Sequence, residues 1–398
     1  MPLNLRVIFP GGPAGSFVST GDMIQTSSLV MAREVVTFVP DQSTSEREDR
    51  SVRTKLIGVA VTALAVASSA CTLGHSSQSS SSTALYTVSR RLHLSEQGFP
   101  YRLLAGNSTA LYLPGTVYSE GGPEPNLLRL DLRSFAVSAS SLIAGPPTTS
   151  PEAGTASAAL GFGALWVAAG QQLLRMNTTT LAVTARVPLP ASSVFVTVAK
   201  DKVWCSTDST LFAIDPTTDA VLHSDAIGFF PYAMAAAPDG SELYVLGDRQ
   251  PSGPAVVAEY DPATGARLAE ATIGSASVGP IAPANDGVWV PASKLRPSQE
   301  TTIKFYKSPS LALAISMPAD SFGTVPYLAG SILWLIDGEG SAKTECVNPV
   351  NGSIRASGPP AAIGSSGMMF SAAGKTYLMR TMRGDQVLEI DPTAACRA

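Results

Sequence analysis

From about residue 84 onward, short apolar runs alternate with polar turns, and the alternation itself repeats. The stretch Ala164 to Pro190, ALWVAAGQQLLRMNTTTLAVTARVPLP, is one clear copy. It predicts a strand ending on Trp-Val, a tight polar turn, a second strand running into Asn-Thr, and a third strand before a proline-rich break. Aligned on that copy, an aromatic residue recurs as Tyr112, Trp166, Trp204, Tyr244, Trp289, Trp334 and Tyr377, a column that holds all 4 tryptophans. Self-similarity at a period of roughly 40 residues marks a propeller or solenoid rather than one continuous sheet.

A second column closes the following strand: Asp131, Asn177, Asp215, Asp261, Lys307, Asn348 and Asp391, with proline next at 216, 262, 349 and 392. An Asp or Asn that caps its own turn, followed by a proline preset near φ −65°, is type I turn chemistry. These carboxylates are therefore expected at hairpin ends and not in catalysis. Innermost strands are predicted to begin near Phe99, Gly154, Val194, Phe230, Val278, Val325 and Gly367. The expected fold is all-β, a seven-bladed β-propeller of four-stranded antiparallel blades.

The ends of the repeat array are out of phase. Thr87 to Leu94 lines up with the outermost strand that starts near Ala182, yet no blade precedes it; the seventh repeat stops at Asp391-Pro392-Thr393 without that strand. The N-terminal strand is thus expected to complete the last blade and close the ring, removing the open edge. The longest connections between second and third strands are predicted as loops, Pro114 to Asn126, Gly247 to Ala255 and Ala292 to Thr301. In a four-stranded meander they share a face with the blade-to-blade connections, so one rim is elaborated and the other trimmed.

Composition fits this picture. Of 398 residues, 45% are hydrophobic and 15% charged, with Gly 34 and Pro 30, as many short strands joined by turns require. A net charge of −4 with no Lys/Arg cluster argues against nucleic acid. Ahead of the repeats the chain changes character. Residues 52–70 read as a signal peptide: a basic start at Val52 to Lys55, an apolar run from Leu56 to Ala67, and small residues Ser68, Ser69 and Ala70 before Cys71. Such a signal belongs at a true N-terminus, so residues 1–51 are expected to be an over-extended or disordered segment. The rival reading is a signal anchor, but the apolar run falls short of the ~20 residues a spanning helix needs. Residues 71–83 form a Ser-rich tether, and 84–398 the propeller.

Ser69, Ala70 and Cys71 resemble the lipobox of bacterial lipoproteins, which implies lipidation of Cys71 and attachment to the outer face of the cell membrane. Ser68 departs from the Leu usual there, so cleavage and free secretion stay open. Export permits a disulfide, and Cys205, Cys346 and Cys396 allow at most one internal pair; which two is not decided by spacing.

FGALWV, LLRMNTTT, TARVPLP, LFAIDPTTDAV and VVAEYDPATGARLAEATIG resemble the YVTN-type repeat and the repeats of streptogramin-lyase-like and quinoprotein-like propellers. The resemblance covers 84–398 and implies fold far more than function. Streptogramin-lyase-like enzymes use histidine and a divalent metal near the channel. The 3 histidines here are His75 in the tether and His93 and His223 on outermost strands, none of them suitably placed. The Trp column also differs from the blade-end Trp of quinoprotein dehydrogenases. No Gly-x-Ser-x-Gly, Walker-type loop, Cys-x-x-Cys or His-Glu-x-x-His occurs.

Two functions are expected. The first is an exported, envelope-associated, monomeric binding or scaffolding module that recognises a protein, peptide or glycan through Tyr118, Phe229, Phe230, Arg249 and Arg296. Aromatic and arginine anchors are what such interfaces use. It touches membrane only through the lipid on Cys71. The alternative is a metal-dependent hydrolase or lyase at the channel mouth, with Glu120, Asp248, Asp337, Glu339 and Asp385 as candidate ligands. A divalent metal is the only cofactor either reading admits.

Overall fold

In the computed structural model, the seven aromatic positions all fall on the second strand of a four-stranded antiparallel sheet, and seven such sheets follow one another. The structure describes residues 22–26, 29–33, 84–94, 105–119, 122–143, 157–249, 253–274, 276–277, 279–294, 300–319, 323–337, 343–358, 367–380 and 386–397. Two units divide the chain, Met1–Ser77 and Gln78–Ala398. In the first, Asp22–Thr26 pairs antiparallel with Leu29–Arg33. The signal segment, Cys71 and the Ser-rich tether lie outside the described residues.

The second unit is the seven-bladed propeller. Blades 1 to 6 span 105–142, 158–188, 193–226, 230–274, 276–318 and 324–358; blade 7 takes its three inner strands from 367–392 and its outer strand, Tyr86–His93, from the N-terminal side. Tyr86 pairs with Pro392 and His93 with Gln386, so the ring closes as the phase of the repeats predicts. Inner strands begin at the expected Phe230 and Gly367 in blades 4 and 7 and one residue before the expected Val194 and Val325 in blades 3 and 6; Phe99, Gly154 and Val278 lie outside the described residues. In blade 5 the inner edge is broken into Ala276–Ser277 and Ala282–Ala284.

Two connections expected as loops are strands instead. Ala110–Ser119 and Gly122–Asp131 form one long hairpin whose ladder runs on through Pro114↔Leu127 to Ser119↔Gly122. Gly287–Lys294 and Glu300–Lys307 likewise stay paired out to Lys294↔Glu300. Proline and glycine suggested loops there, but a hairpin that outruns its neighbours has free edges, where a missing N–H costs no ladder bond. Between Asp248 and Ala255 the chain does leave the ladder.

Each aromatic of the column faces the residue two before the turn column: Tyr112 Arg129, Trp166 Arg175, Trp204 Ala213, Tyr244 Glu259, Trp289 Phe305, Trp334 Cys346 and Tyr377 Glu389. The turn that follows is built alike in five blades. The Asx oxygen accepts backbone N–H bonds, as from Thr217 and Thr218 to Asp215, and the residue four on donates back to the Asx carbonyl at 2.8 to 2.9 Å. That residue has positive φ: Phe135, Leu181, Asp219, Gly265 and Gly352, joined by Leu311 in blade 5. Asp391 departs from its column. It lies in a strand paired with Thr87, because the outer strand of blade 7 arrives from the other end of the chain and leaves no turn to cap.

The outer turns of blades 1 to 6 dock on the aromatic row of the blade before them, blade 7 preceding blade 1. Tyr112 Oη and Arg129 Nε donate to Thr178 O at 2.7 and 3.0 Å. Arg175 lies over the Trp166 ring and pairs with Asp219 at 3.3 Å. Lys202 Nζ donates to Ala263 O, Ser308 Oγ to Glu259 Oε1 at 2.8 Å, and Arg90 Nη1 to Leu132 O at 2.7 Å. Seven apolar clusters fill the seven junctions, and the one holding Leu94, Leu111, Phe370 and Tyr377 seals blade 7 to blade 1. Burial of such side chains, worth ~1.5 to 3 kcal/mol each, makes the ring one cooperative body. Cys205, in the junction of blades 2 and 3, is free and fully buried, its thiol pushed up to about 12 by burial.

Candidate interaction rim

Because turns from third to fourth strand dock on neighbouring blades, the face that carries them is committed to holding the ring together. A cleft of about 390 Å³ does open there, at the junction of blades 7 and 1, lined by Arg90, Asp131, Arg133, Lys375 and Tyr377 among others. Its cations already serve closure: Arg90 binds Glu389 and Leu132 O, and Lys375 lies 3.7 Å from Glu389 and 3.8 Å from Asp391. The opposite face, with the extended hairpins, is left for a ligand.

On that face blade 4 presents the best-defined corner. Its inner strand, Phe230–Ala236, pairs Pro231 with Gly247 and Ala233 with Leu246, so Tyr232 is the extra residue of a β-bulge. A bulge turns a side chain out of its ladder direction, and Tyr232 is 38% exposed. Gly247 allows it: a Cβ there would stand 2.0 Å from Phe230 O and 2.6 Å from Phe229 Cδ2. The rings of Phe230 and Tyr232 meet edge to face, centroids 5.5 Å apart at 62°. Asp248 is the cross-strand partner of Phe230, and its carboxylate lies near the Tyr232 phenol. Burial first, and then this carboxylate, holds the phenol above its ordinary range.

The expected site residues fall in different places. Phe230 and Asp248 are brought together here. Phe229 is 4% exposed and belongs to the apolar junction of blades 3 and 4, so it supports the corner from beneath. Arg249 turns to the flank of the blade, where it and Arg267 both bind Glu270. Tyr118 lies on the second strand of blade 1 and Asp337 ends the second strand of blade 6. Cys71, Glu120, Arg296, Glu339 and Asp385 lie outside the described residues.

Tyr232 is the residue that sequence reasoning missed. Its signal was Pro231: a proline inside a strand points to an edge or a bulge, and the side chain after it deserved a place among the candidates. Among the described residues, no group of three or more His, Cys, Asp or Glu stands close enough to hold a metal ion. His223 pairs with Asp225, and His93 lies 3.4 Å from Gln386 Nε2, both on outer strands.

No family model and no curated protein matches this chain. Solved structures share its fold. The WD40 domain of Toxoplasma gondii coronin superposes with a TM-score of 0.56 at 11% identity, covering 78% of this chain and 88% of that one. Kuenenia stuttgartiensis hydrazine synthase gives 0.58 at 12%, over 81% and 100% of the two chains. The WD40 domain of Neurospora crassa Pan2 gives 0.57 at 8%, over 76% and 95%. At these identities the likeness speaks for the propeller fold alone.

Proposed function

We propose that this seven-bladed propeller is an exported, monomeric binding or scaffolding module of the cell envelope, whose protein, peptide or glycan ligand docks on the elaborated rim at blade 4. The observation that carries this reading is the Phe230–Tyr232 pair, placed outward by a bulge beside Asp248. Partly exposed aromatic rings on a rigid scaffold give contact area at little cost in conformational entropy, and such residues dominate binding energy in interfaces. The YVTN-like repeats supply that scaffold.

Export is supported from two sides. The segment 52–70 has the layout of a signal peptide, and Cys346 and Cys396 are joined in a disulfide that closes the last blade onto blade 6, as an oxidising compartment permits. Cys71 then carries the lipid, and the Ser-rich tether spaces the propeller from the membrane.

Selection of a random displayed-peptide library on the immobilised full-length protein tests the reading. Enriched sequences are expected to bind the wild type and to lose binding to Tyr232→Ala. Peptides that bind both forms alike, or no enrichment above a bare surface, would refute the blade 4 rim as the ligand site.

A further inference from the structure

We infer that the cleft on the outer flank of blade 4, framed by Arg249 and Arg267, receives the side-chain carboxylate of an aspartate or glutamate on a peptide partner. This rests on the binding-module reading and names the chemistry of its ligand.

Both guanidiniums converge on a single carboxylate. Arg249 binds Glu270 Oε1 through Nη2, and Arg267 binds Oε2 through Nη1 at 2.7 Å, the same nitrogen also donating to Ile227 O at 3.3 Å. Among the described residues, Nε and the other terminal nitrogen of each arginine have no partner. Two cations against one anion leave one positive charge in excess, with N–H donors already held in place.

A cleft of about 360 Å³ opens beside them, lined by Arg249, Arg267, Leu268, Ala269 and Glu270. The backbone fixes its walls. Arg249 N donates to Pro254 O and Gly253 N to Arg249 O, in a turn so tight that a Cβ on Gly253 would stand 2.4 Å from Arg249 O. Leu268 is the extra residue of a bulge, since Glu259 pairs with Ala269 and Tyr260 with Arg267, and it is 52% exposed. Arg249 also follows directly on Asp248, the cross-strand partner of Phe230, so the chain runs from the rim corner straight to the cleft.

Charge selects the ligand. Arginine presents its N–H groups as a planar fork that matches a carboxylate or a phosphate, and such charge-assisted bonds are stronger than neutral ones. One excess positive charge balances a carboxylate, whereas a phosphate near its dianionic form brings a second negative charge against Glu270. A cationic ligand would have to compete with both arginines for Glu270, and a neutral one leaves the fork unmatched. Leu268 and Ala269 add an apolar wall, which favours an aliphatic residue beside the acid on the peptide. Asp225 of blade 3, which acts on Tyr260 together with Arg267 and Glu270, is itself engaged by His223. The net charge of −4 gives no long-range pull on an anion, so selection acts at contact.

The test uses the full chain and arrays of short synthetic peptides on one neutral, leucine-containing background, carrying glutamate, glutamine, phosphoserine or lysine at the same position. The glutamate set is expected to be retained about fivefold more strongly than the glutamine set, which is the scale of one partly exposed charge-assisted pair. The preference should vanish in Arg249→Gln and weaken in Arg249→Lys, which keeps the charge and loses the fork. Glu270→Gln should enlarge it, because both arginines are then released to the ligand; a triad with a structural role alone would show no such gain. Near-ultraviolet circular dichroism checks the fold of each variant. Equal retention of glutamate and glutamine sets, or preference for lysine, overturns the carboxylate, and the rim reading still stands if retention is lost in Tyr232→Ala. A glutamate preference that survives in Arg249→Gln, or is unmoved by Glu270→Gln, overturns the cleft as its seat. Stronger retention of phosphoserine than of glutamate overturns the carboxylate in favour of a phosphate. A glutamate preference lost in Arg249→Gln, with retention unchanged in Tyr232→Ala, supports the cleft and overturns the rim reading. No retention of any set overturns both.

Discussion

Cys346, on the third strand of blade 6, is bonded to Cys396 of the C-terminal helical turn, with Cα atoms 5.6 Å apart. At the other six junctions the outer turn of the next blade packs against the aromatic row. Blade 7 has no such turn, because its outer strand comes from the N-terminal side. The chain end takes the turn's place: Arg355 Nη1 donates to Cys396 O at 3.0 Å, Thr393 N to Leu85 O at 2.9 Å, and Tyr86 packs edge-on against Trp334.

The bond closes a loop with a sequence separation of 50, for which chain entropy predicts about 4 kcal/mol of stabilisation. Cys346→Ser, Cys396→Ser and the double variant should therefore melt alike, roughly 5 to 10 °C below the wild type. Reductant should lower the wild type to the same value and leave the variants unmoved. A wild-type melt insensitive to reductant in the unfolding range would mean the staple contributes nothing.

Arg90 and Glu389 make the corresponding lock at the closing blade. Glu389 is buried between Arg90, Lys375 and Ser89, and Arg90 also covers the Phe135 ring of blade 1 at 4.5 Å. Removing one partner leaves a buried carboxylate short of a counter-charge, and Lys375 at 3.7 Å compensates in part. Arg90→Ala is expected to cost about 3 kcal/mol, while Arg90→Met with Glu389→Gln should recover much of it. Chemical denaturation of the single and double variants reads the coupling directly; additive losses would show that the pair is not the lock.

The turn column makes a sharper demand on chemistry than on charge. Asp131, Asp215 and Asp261 hold their carboxyls below the usual range, chiefly through backbone N–H donors of the turn. A depressed folded value means that their stabilisation is present above the unfolded carboxylate range and is lost as pH falls through the folded value. Asn177 and Asn348 fill the same position with no charge, Asn177 accepting from the N–H of Thr179 and Thr180 and Asn348 from that of Val350. Asp215→Asn should therefore be close to neutral near pH 7 and flatten the acid limb of the stability curve, whereas Asp215→Ala should destabilise at every pH. Melting temperatures of the three proteins from pH 3 to pH 7 (set by the ordinary carboxylate range) decide it.

These elements differ in how far they could be read beforehand. The aromatic and Asx columns were legible because each marks a local demand, a buried ring and a capped turn, that recurs with the blade. Closure was legible because Thr87 to Leu94 had no blade of its own. The pairing of Cys346 with Cys396 was not, since it depends on where the chain end falls in three dimensions. Nor were the long hairpins, whose prolines suit a free edge as well as a loop. The rim corner was half legible: Phe230 stood out as aromatic, but Tyr232 became a surface residue only through a bulge that Gly247 permits on the opposite strand.

Glu259 gives the last prediction, because it stands where five of the other blades place a cation or an apolar group and blade 7 places Glu389. It faces Tyr244 and is fully buried; Ser308 donates to Oε1, while Oε2 and the Tyr244 hydroxyl have no partner. Burial raises its carboxyl above the ordinary range, the Ser308 bond opposes this, and Glu242 adds to it. The folded chain thus holds this proton more tightly than the unfolded chain does. As pH rises from the unfolded carboxylate value toward the folded one, the unfolded state releases its proton first and stability is lost. Glu259→Gln keeps the Ser308 bond and removes the titration. Its melting temperature should match the wild type below about pH 4, the unfolded range, and exceed it increasingly as pH rises. A variant less stable than wild type near neutrality would show that the ionised carboxylate is welcome in this junction and that the reading of Glu259 is wrong.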